Sequence, residues 1–300
     1  LRWKSACLAR RRLAVRVRSP PLFILKMKAA PECIPCAIHF AIRTMRRAGG
    51  VREDILREII KKLCDFDLSH PPSYFADLVF DAIRERTGVR DPYKKDKHEQ
   101  NRWALSVYPE LKKMVDESDD RLLCAVKISA LGNTIDLGVS GSYEVDLDLR
   151  KINLAINDID IFREKLKTAK KILFIADNAG EIIFDRVLIE ELGKRVVVGV
   201  KSGPIINDIT IEEVDETGIN AEFIETGTAS LGVELEKVSK EFRKVFYESD
   251  VVISKGHANF ETLDDANRDI FFLLRAKCEI VADVLGVKKG DIVFWYSGKK

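Results

Sequence analysis

The chain has 300 residues, 46% of them hydrophobic, enough to bury a sizeable core in one large domain or two smaller ones. Charged residues make up 33% but nearly cancel at +2, which gives no case for nucleic acid. No apolar run reaches the roughly 18 residues of a membrane helix, so we expect no membrane partner and a cytoplasmic location.

Taken in chain order, residues 1–26 look foreign to the rest. They carry Arg2, Lys4, Arg10, Arg11, Arg12, Arg16, Arg18 and Lys26 with no acid, and include Pro20 and Pro21. We read this stretch as a start site placed too early, with Met27 as the true beginning. A basic arm touching nucleic acid or membrane, or an ordinary extension, are the alternatives. The six cysteines, Cys7, Cys33, Cys36, Cys64, Cys124 and Cys278, are scattered and do not resemble a secreted disulfide framework. Cys33 and Cys36 have C-x-x-C spacing. A zinc half-site needs a second pair, which the sequence lacks, and a redox motif should follow a strand, so we read the pair as structural.

From there to residue 167 the apolar period is near 3.6, and an all-α region over 27–167 is expected. Gly49–Gly50 and Gly88 punctuate it. The run 53–64 places Ile55, Ile59, Ile60 and Leu63 on an apolar face, and a break falls at Gly132–Asn133. The stretch 146–169 reads as one or two helices leading to a strand. Residues 168–300 then alternate. Strands are expected at 172–176, 196–200, 221–226, 251–254 and 292–296, and the stretch 271–286 mixes strand and helix. Helix-like turns at 209–218 and an amphipathic helix over 231–249 lie between them. This pattern indicates βαβ units: an α/β fold with a Rossmann-like, mostly parallel sheet covered on both faces. The expected division is an extension at 1–26, a helical domain at 27–167 and a metal- and phosphate-binding domain at 168–300.

The chemistry gathers at strand ends. Ile172, Leu173, Phe174 and Ile175 form an apolar run without alternation, as in a strand covered on both faces. The run stops at Asp177–Asn178, passes Gly180 and resumes with helical spacing. Asn207–Asp208 follow the second strand and Lys255–Gly256 the fourth, so a parallel sheet would bring all of them to one rim. Two carboxylates and a carboxamide oxygen suit a hard divalent cation. Asp177, Asn178 and Asp208 are therefore the candidate metal ligands. Lys255 offers a point charge for a phosphate, and the Gly180 turn offers backbone N–H groups at a helix start. Asp177 or Asp208 could instead attack phosphorus directly. Taken singly, each of these residues is more often a cap or a surface charge, and Glu181, Asp185 and Glu261 are ambiguous acids of that kind. Their joint placement carries the reading.

DNAGEIIFD, PIINDIT and SKGHANFETL, with GNTIDLG upstream and CIPC near the start, resemble the metal-dependent damage-control phosphatases, long catalogued as domain of unknown function eighty-nine. The short-chain branch with the cysteine pair is the nearest in pattern. The resemblance covers roughly residues 28–297. It implies a helical region packed on a Rossmann-like domain and a divalent metal ion (Mg, Mn, Co or Ni). It also implies hydrolysis of a small phosphorylated metabolite, such as a sugar phosphate or a phosphopantetheine-type compound. Carried over by motif, Asp177, Asn178 and Asp208 hold the metal, and Lys255 binds the substrate phosphate. Asn133 and Asp136 reach into the cleft from the helical side, beside Gly180 and Glu181, and Asn259 and Glu261 line it. The family pattern more often has Gln-Gly where this chain has His257–Ala258, and we read His257 as covering the cleft wall.

A carboxyl methyltransferase using S-adenosylmethionine is the rival enzyme, but DNAGE has a single glycine where close backbone approach to that cofactor calls for several. A non-enzymatic phosphometabolite-binding protein is the other rival; it would have no need of the Asp/Asn/Asp set. Gln100 is the only glutamine, beside three methionines and abundant Lys, Glu, Ile and Val, a bias that leans towards a thermophile.

Overall fold

The computed structural model describes residues 27–133 and 147–298. The 1–26 stretch and Asp136 lie outside the described residues. Five helices come first: α1 (Cys33–Arg47), α2 (Glu53–Cys64), α3 (Tyr74–Thr87), α4 (Lys94–Asp116) and α5 (Arg121–Gly132). Their ends follow local chemistry. Gly88 closes α3 in the left-handed conformation at φ 72°. The Asp120 carboxylate accepts from Leu123 N at 3.1 Å and starts α5. On α2, Ile55, Ile59 and Leu63 are buried while Ile60 is exposed, a narrower apolar stripe than the sequence suggests.

The helices do not share one core. Phe40, Met45, Ile59, Val79, Phe80 and Ile83 of α1–α3 pack on one another. Leu111, Val115, Ala125 and Ile128 of α4 and α5 join the core of the sheet instead.

That sheet has seven strands: β1 (Leu154–Asn157), β2 (Lys171–Ile175), β3 (Arg195–Val200), β4 (Glu222–Glu225), β5 (Val251–Lys255), β6 (Phe271–Arg275) and β7 (Ile292–Tyr296). Their order is β1-β7-β6-β5-β2-β3-β4, and every neighbouring pair is parallel except β6 with β7. Between the strands run α6 (Ile159–Thr168), α7 (Glu181–Glu191), α8 (Lys240–Glu248), α9 (His257–Leu263) and α10 (Glu279–Leu285). Both faces of β2 are covered, as its unbroken apolar run requires. Ile172 and Phe174 pack with α5, α6 and α7, whereas Leu173 and Ile175 pack with Phe242, Phe246, Phe260 and Val281 of α8–α10. The chain leaves β2 towards β3 on one side and leaves β5 towards β6 on the other. The carboxyl ends of β2 and β5 therefore flank a topological switch point, where open α/β sheets place their crevice.

Three stretches differ from the sequence reading. Residues 146–169, expected as helix, contain β1, which pairs with the edge of β7 before α6 begins. Leu154 and Ile156 alternate with exposed neighbours over only four residues, too short to separate from a helical stripe. Of 231–249 only Lys240–Glu248 is helical. Gly232 sits at φ 81° and Val233 N donates to Thr262 Oγ1 at 2.8 Å, so this segment is pinned against α9 in an irregular form. The 209–218 stretch is a 3₁₀ turn, Ile211–Thr217, opened by a capping box between Thr210 and Glu213.

Candidate active site

The site is built where β2 stops. Beyond Ile175 the backbone runs beside the loop that follows β3. Ala179 N donates to Asn207 O at 2.8 Å, Ile209 N donates to Asp177 O at 2.9 Å, and Asn178 bridges Asp208 in antiparallel fashion. The main chains of two strand ends are thus held together, and their carboxylates, Asp177 and Asp208, lie within electrostatic reach of each other. The loop reaches this geometry through Ile206, a β-branched residue at φ 45°. Such a conformation persists only where surrounding contacts enforce it, and it is commonest at functional sites. Asn207 Nδ2, bonded to Gln100 Oε1 at 3.2 Å, supplies one such contact from α4.

Asp177, Asp208 and Glu181 are all nearly fully buried. Burial pushes the Asp177 carboxyl well above its ordinary range, and the charges of Glu181 and Asp208 push the same way. Asp208 rises to about 6 from burial, against the pull of Lys201 and Lys97. Glu181 goes the other way: burial opposes its charge, but Lys255 prevails and holds it low. Asn178 Nδ2 donates to Asp177 Oδ2 at 2.8 Å and to Glu181 Oε2 at 3.1 Å, lacing the cluster together.

Lys255 lies beneath this cluster, fully buried. Its ammonium donates to Ser129 O at 2.8 Å and Ser129 Oγ at 2.9 Å, pairs with Glu181 Oε1 at 2.9 Å, and bonds Asp185 Oδ1. The three N–H donors of a lysine are thus engaged by α5 and α7. Burial lifts Asp185 to about 7 although Lys255 and Ser129 both bond it.

Gly256 follows Lys255 at φ 84° and faces the cluster directly. A Cβ at this position would lie 1.9 Å from Asp177 Oδ2, so only glycine permits the approach of the two strand ends. Asn133, at the end of α5, donates through Nδ2 to Glu181 Oε1 at 3.0 Å and accepts from Arg275 N at 2.9 Å. Asn259 Nδ2 donates to Ala176 O at 3.1 Å and Lys255 O at 2.7 Å, while its Oδ1 accepts nothing. The Gly180 N–H, expected to face an anion, is taken by Asn101 Oδ1 at 2.7 Å.

Asp177, Asn178, Asp208, Glu181, Asn133, Lys255 and Gly180 thus share one neighbourhood. Glu261 stands apart beside Ser73 and His257, with His257 Nε2 at 3.5 Å. The amino-terminal ends of β5 and β6 open instead on a hollow of about 180 Å³ lined by Lys165, Asp250, Arg268 and Tyr296, which carries none of these groups.

The donor set fits a hard cation. Among the described residues no three His, Cys, Asp or Glu side chains are already drawn into a cage. The set here is two carboxylates and a carboxamide, and Asp208 Oδ2 is buried without a hydrogen bond, with Lys201 Nζ 3.7 Å away. A buried carboxylate oxygen lacking a donor is costly unless a cation meets it.

Three neighbours escaped the sequence reading of the site, and a fourth, Asp185, entered it only as an ambiguous acid. Asp185 is one helical turn beyond Glu181, on the same face of α7, a spacing that could have marked it. Lys201 directly follows β3, and its ammonium also bonds Gly232 O. Ser129 is a small polar residue inside an apolar helix. Lys277 follows β6, is exposed, and its charge favours the ionised forms of Asp177 and Glu181.

The family model described as a damage-control phosphatase ARMT1-like domain matches residues 29–293. A damage-control phosphatase of Pyrococcus horikoshii is 36% identical, over 89% of this chain and 97% of its own. One from Archaeoglobus fulgidus is 33% identical, over 89% and 98%. An uncharacterized protein of Methanocaldococcus jannaschii is 35% identical over 91% and 98%. Among solved structures, a crystal structure of a DUF89 family protein from P. horikoshii superposes with a TM-score of 0.81 at 35% identity, covering 91% of this chain and all of that one. With the strand-end cluster in place and the match running through nearly the whole chain, the protein belongs to the damage-control phosphatase ARMT1-like family.

Proposed function

We propose that the protein is a metal-dependent phosphomonoesterase acting on small phosphorylated metabolites, sugar phosphates or phosphopantetheine-type compounds. The observation that carries this reading is the pair of buried carboxylates, Asp177 and Asp208, on strand ends that main-chain bonds hold together with Asn178, one of their oxygens lacking a hydrogen-bond donor. Asp177, Asn178 and Asp208 would hold a divalent cation (Mg, Mn, Co or Ni). When bound, the ion supplies charge neutralisation at a phosphoryl oxygen and a lowered pKa for a coordinated water.

The remaining residues set the stage for it. Asn178 Nδ2 is occupied by two carboxylates, which leaves its Oδ1 for a ligand role. Lys255 fixes Glu181 and Asp185 and offsets the negative charge beneath the site; a phosphate oxygen reaches its ammonium only by displacing one of these partners. Lys277 has neither a hydrogen bond nor an ion pair among the described residues and lies on the same rim. It is the cation we assign to the incoming phosphate. Asn133 orients Glu181, and Asn259 presents a bare Oδ1 at the base of the cleft. The helical part 27–133 forms the wall over the α/β part.

A panel of phosphomonoesters assayed with Mg²⁺, Mn²⁺, Co²⁺ and Ni²⁺ tests this. We expect phosphate release that needs added metal and is abolished in Asp177→Ala. Full turnover by that variant, or by chelated enzyme, overturns the assignment.

A further inference from the structure

The first half of α4 buries polar side chains where a docked helix usually buries apolar ones. Lys97, Gln100, Asn101 and Ala104 follow the i, i+3, i+4, i+7 spacing of one face, and all four are almost completely buried. Farther along, at Leu111 and Val115, the buried positions are apolar. Buried amides cost free energy unless they are bonded, and both amides here reach the loops of the strand-end cluster. Asn101 Oδ1 accepts from Gly180 N at 2.7 Å, in the turn that follows Asp177 and Asn178. Gln100 Oε1 accepts from Asn207 Nδ2 at 3.2 Å, next to Asp208. The same face grips the 3₁₀ turn beyond: Asn101 Nδ2 donates to Glu216 at 3.3 Å, and Lys97 pairs with Glu213 at 2.6 Å.

We propose that Gln100 and Asn101 are positioning residues: two side chains of one rigid helix that set the spacing between the loop of Asp177 and Asn178 and the loop of Asp208. They thereby set the distance that a cation must bridge. The inference rests on the proposed metal role of that cluster. Neighbours on a helix stand roughly 100° apart around its axis, so the two amides diverge, one to each loop. The bonds from Ala179 N to Asn207 O and from Ile209 N to Asp177 O tie the loops to each other. To these α4 adds one anchor for each loop from outside the sheet. It meets the second loop beside Ile206, whose φ of 45° persists only under such constraint. Neither amide needs to touch ion or substrate; each acts through the acceptor oxygen it presents. A carboxylate at either position offers the same acceptor, and an apolar side chain of similar volume does not.

Mn²⁺ alone is the probe, titrated calorimetrically into metal-free full-length protein with no substrate present. Asn101→Leu and Gln100→Met keep the volume and remove the acceptor. Each should weaken Mn²⁺ binding about tenfold or more, the usual loss when an outer partner of a metal site is removed. Asn101→Asp and Gln100→Glu keep the acceptor and should bind Mn²⁺ at least as tightly as the wild type. Without metal, exchange of the Gly180 amide hydrogen, followed by NMR, should quicken about tenfold or more in Asn101→Leu and stay slow in Asn101→Asp. Asn101→Ala and Gln100→Ala carry the same expectation if a larger apolar side chain prevents folding. Wild-type affinity in the folded variants that lack the acceptor overturns the proposal. So does an equal loss in all the variants, which would trace to the fold rather than to the acceptor. A wild type that takes up no Mn²⁺ overturns the proposed metal role and this proposal with it. Unchanged Gly180 exchange in Asn101→Leu, beside intact Mn²⁺ uptake by the wild type, overturns this proposal alone.

Discussion

Gly256 shows how closely the site is fitted. Its φ of 84° and the 1.9 Å separation between a notional Cβ and Asp177 Oδ2 leave no room for alanine. Gly256→Ala adds about 1–3 kcal/mol of backbone strain and forces the Asp177 carboxylate aside. Because a displacement of about 1 Å at a reacting centre costs roughly 100-fold, we expect kcat/KM to fall by at least that factor. The drop in thermal midpoint should be modest; phosphate release and a circular dichroism melt distinguish the two effects. Asp177 and Asp208 were legible as candidates because each follows the break of a strand run, whereas Glu181, at the start of α7, read only as an ambiguous acid. Lys255 was legible as a rim residue, but not its commitment to Ser129 and Asp185, since those partners come from helices whose docking no spacing reveals.

Among the elements, α5 and α7 are the pair that supports the proposed catalytic rim. Gly132 allows their contact: a Cβ there would meet Phe184 Cβ at 2.9 Å and Glu181 Cγ at 3.1 Å. Gly132→Ala gains about 1 kcal/mol of helix propensity but overpacks the contact by about 1–3 kcal/mol. Net destabilisation of about 0–2 kcal/mol is expected in urea unfolding, with a larger loss of turnover because Glu181 moves. A second element-scale effect is a pH dependence at α3. Asp77 accepts from Leu231 N at 2.7 Å, yet burial pushes its carboxyl up to about 7 from 3.8. The folded state then holds a proton that the unfolded chain has released. Its stabilising contribution is complete at low pH and is lost as pH rises through about 7. Asp77→Asn should flatten that part of the stability–pH curve, measured by urea unfolding at a series of pH values. The alternation of strands and helices made the sheet readable, whereas β1 was hidden. It has four residues, lies at an edge, and is defined by its pairing with β7 rather than by its own pattern.

At the scale of the molecule, the helical and α/β parts are joined by charge as well as by apolar packing. Lys97 of α4, nearly fully buried, pairs with Asp91 at 2.8 Å and with Glu213 at 2.6 Å in the turn after β3. Lys97→Ala strands two carboxylates and should cost about 3–5 kcal/mol, read as a lowered urea midpoint. Lys97→Met should cost less, because it restores the apolar volume although the charges remain unpaired. Asn133 is a join of another kind. One amide grips Glu181 with its nitrogen and the main chain at the last residue of β6 with its oxygen. A hinge that swung α5 away from the sheet would have to tear both bonds and release Glu181 in the same motion. Under the proposed function the opening beside Asn133 would keep its width, and selection among metabolites would fall to what can thread into it rather than to a jaw that closes around a guest.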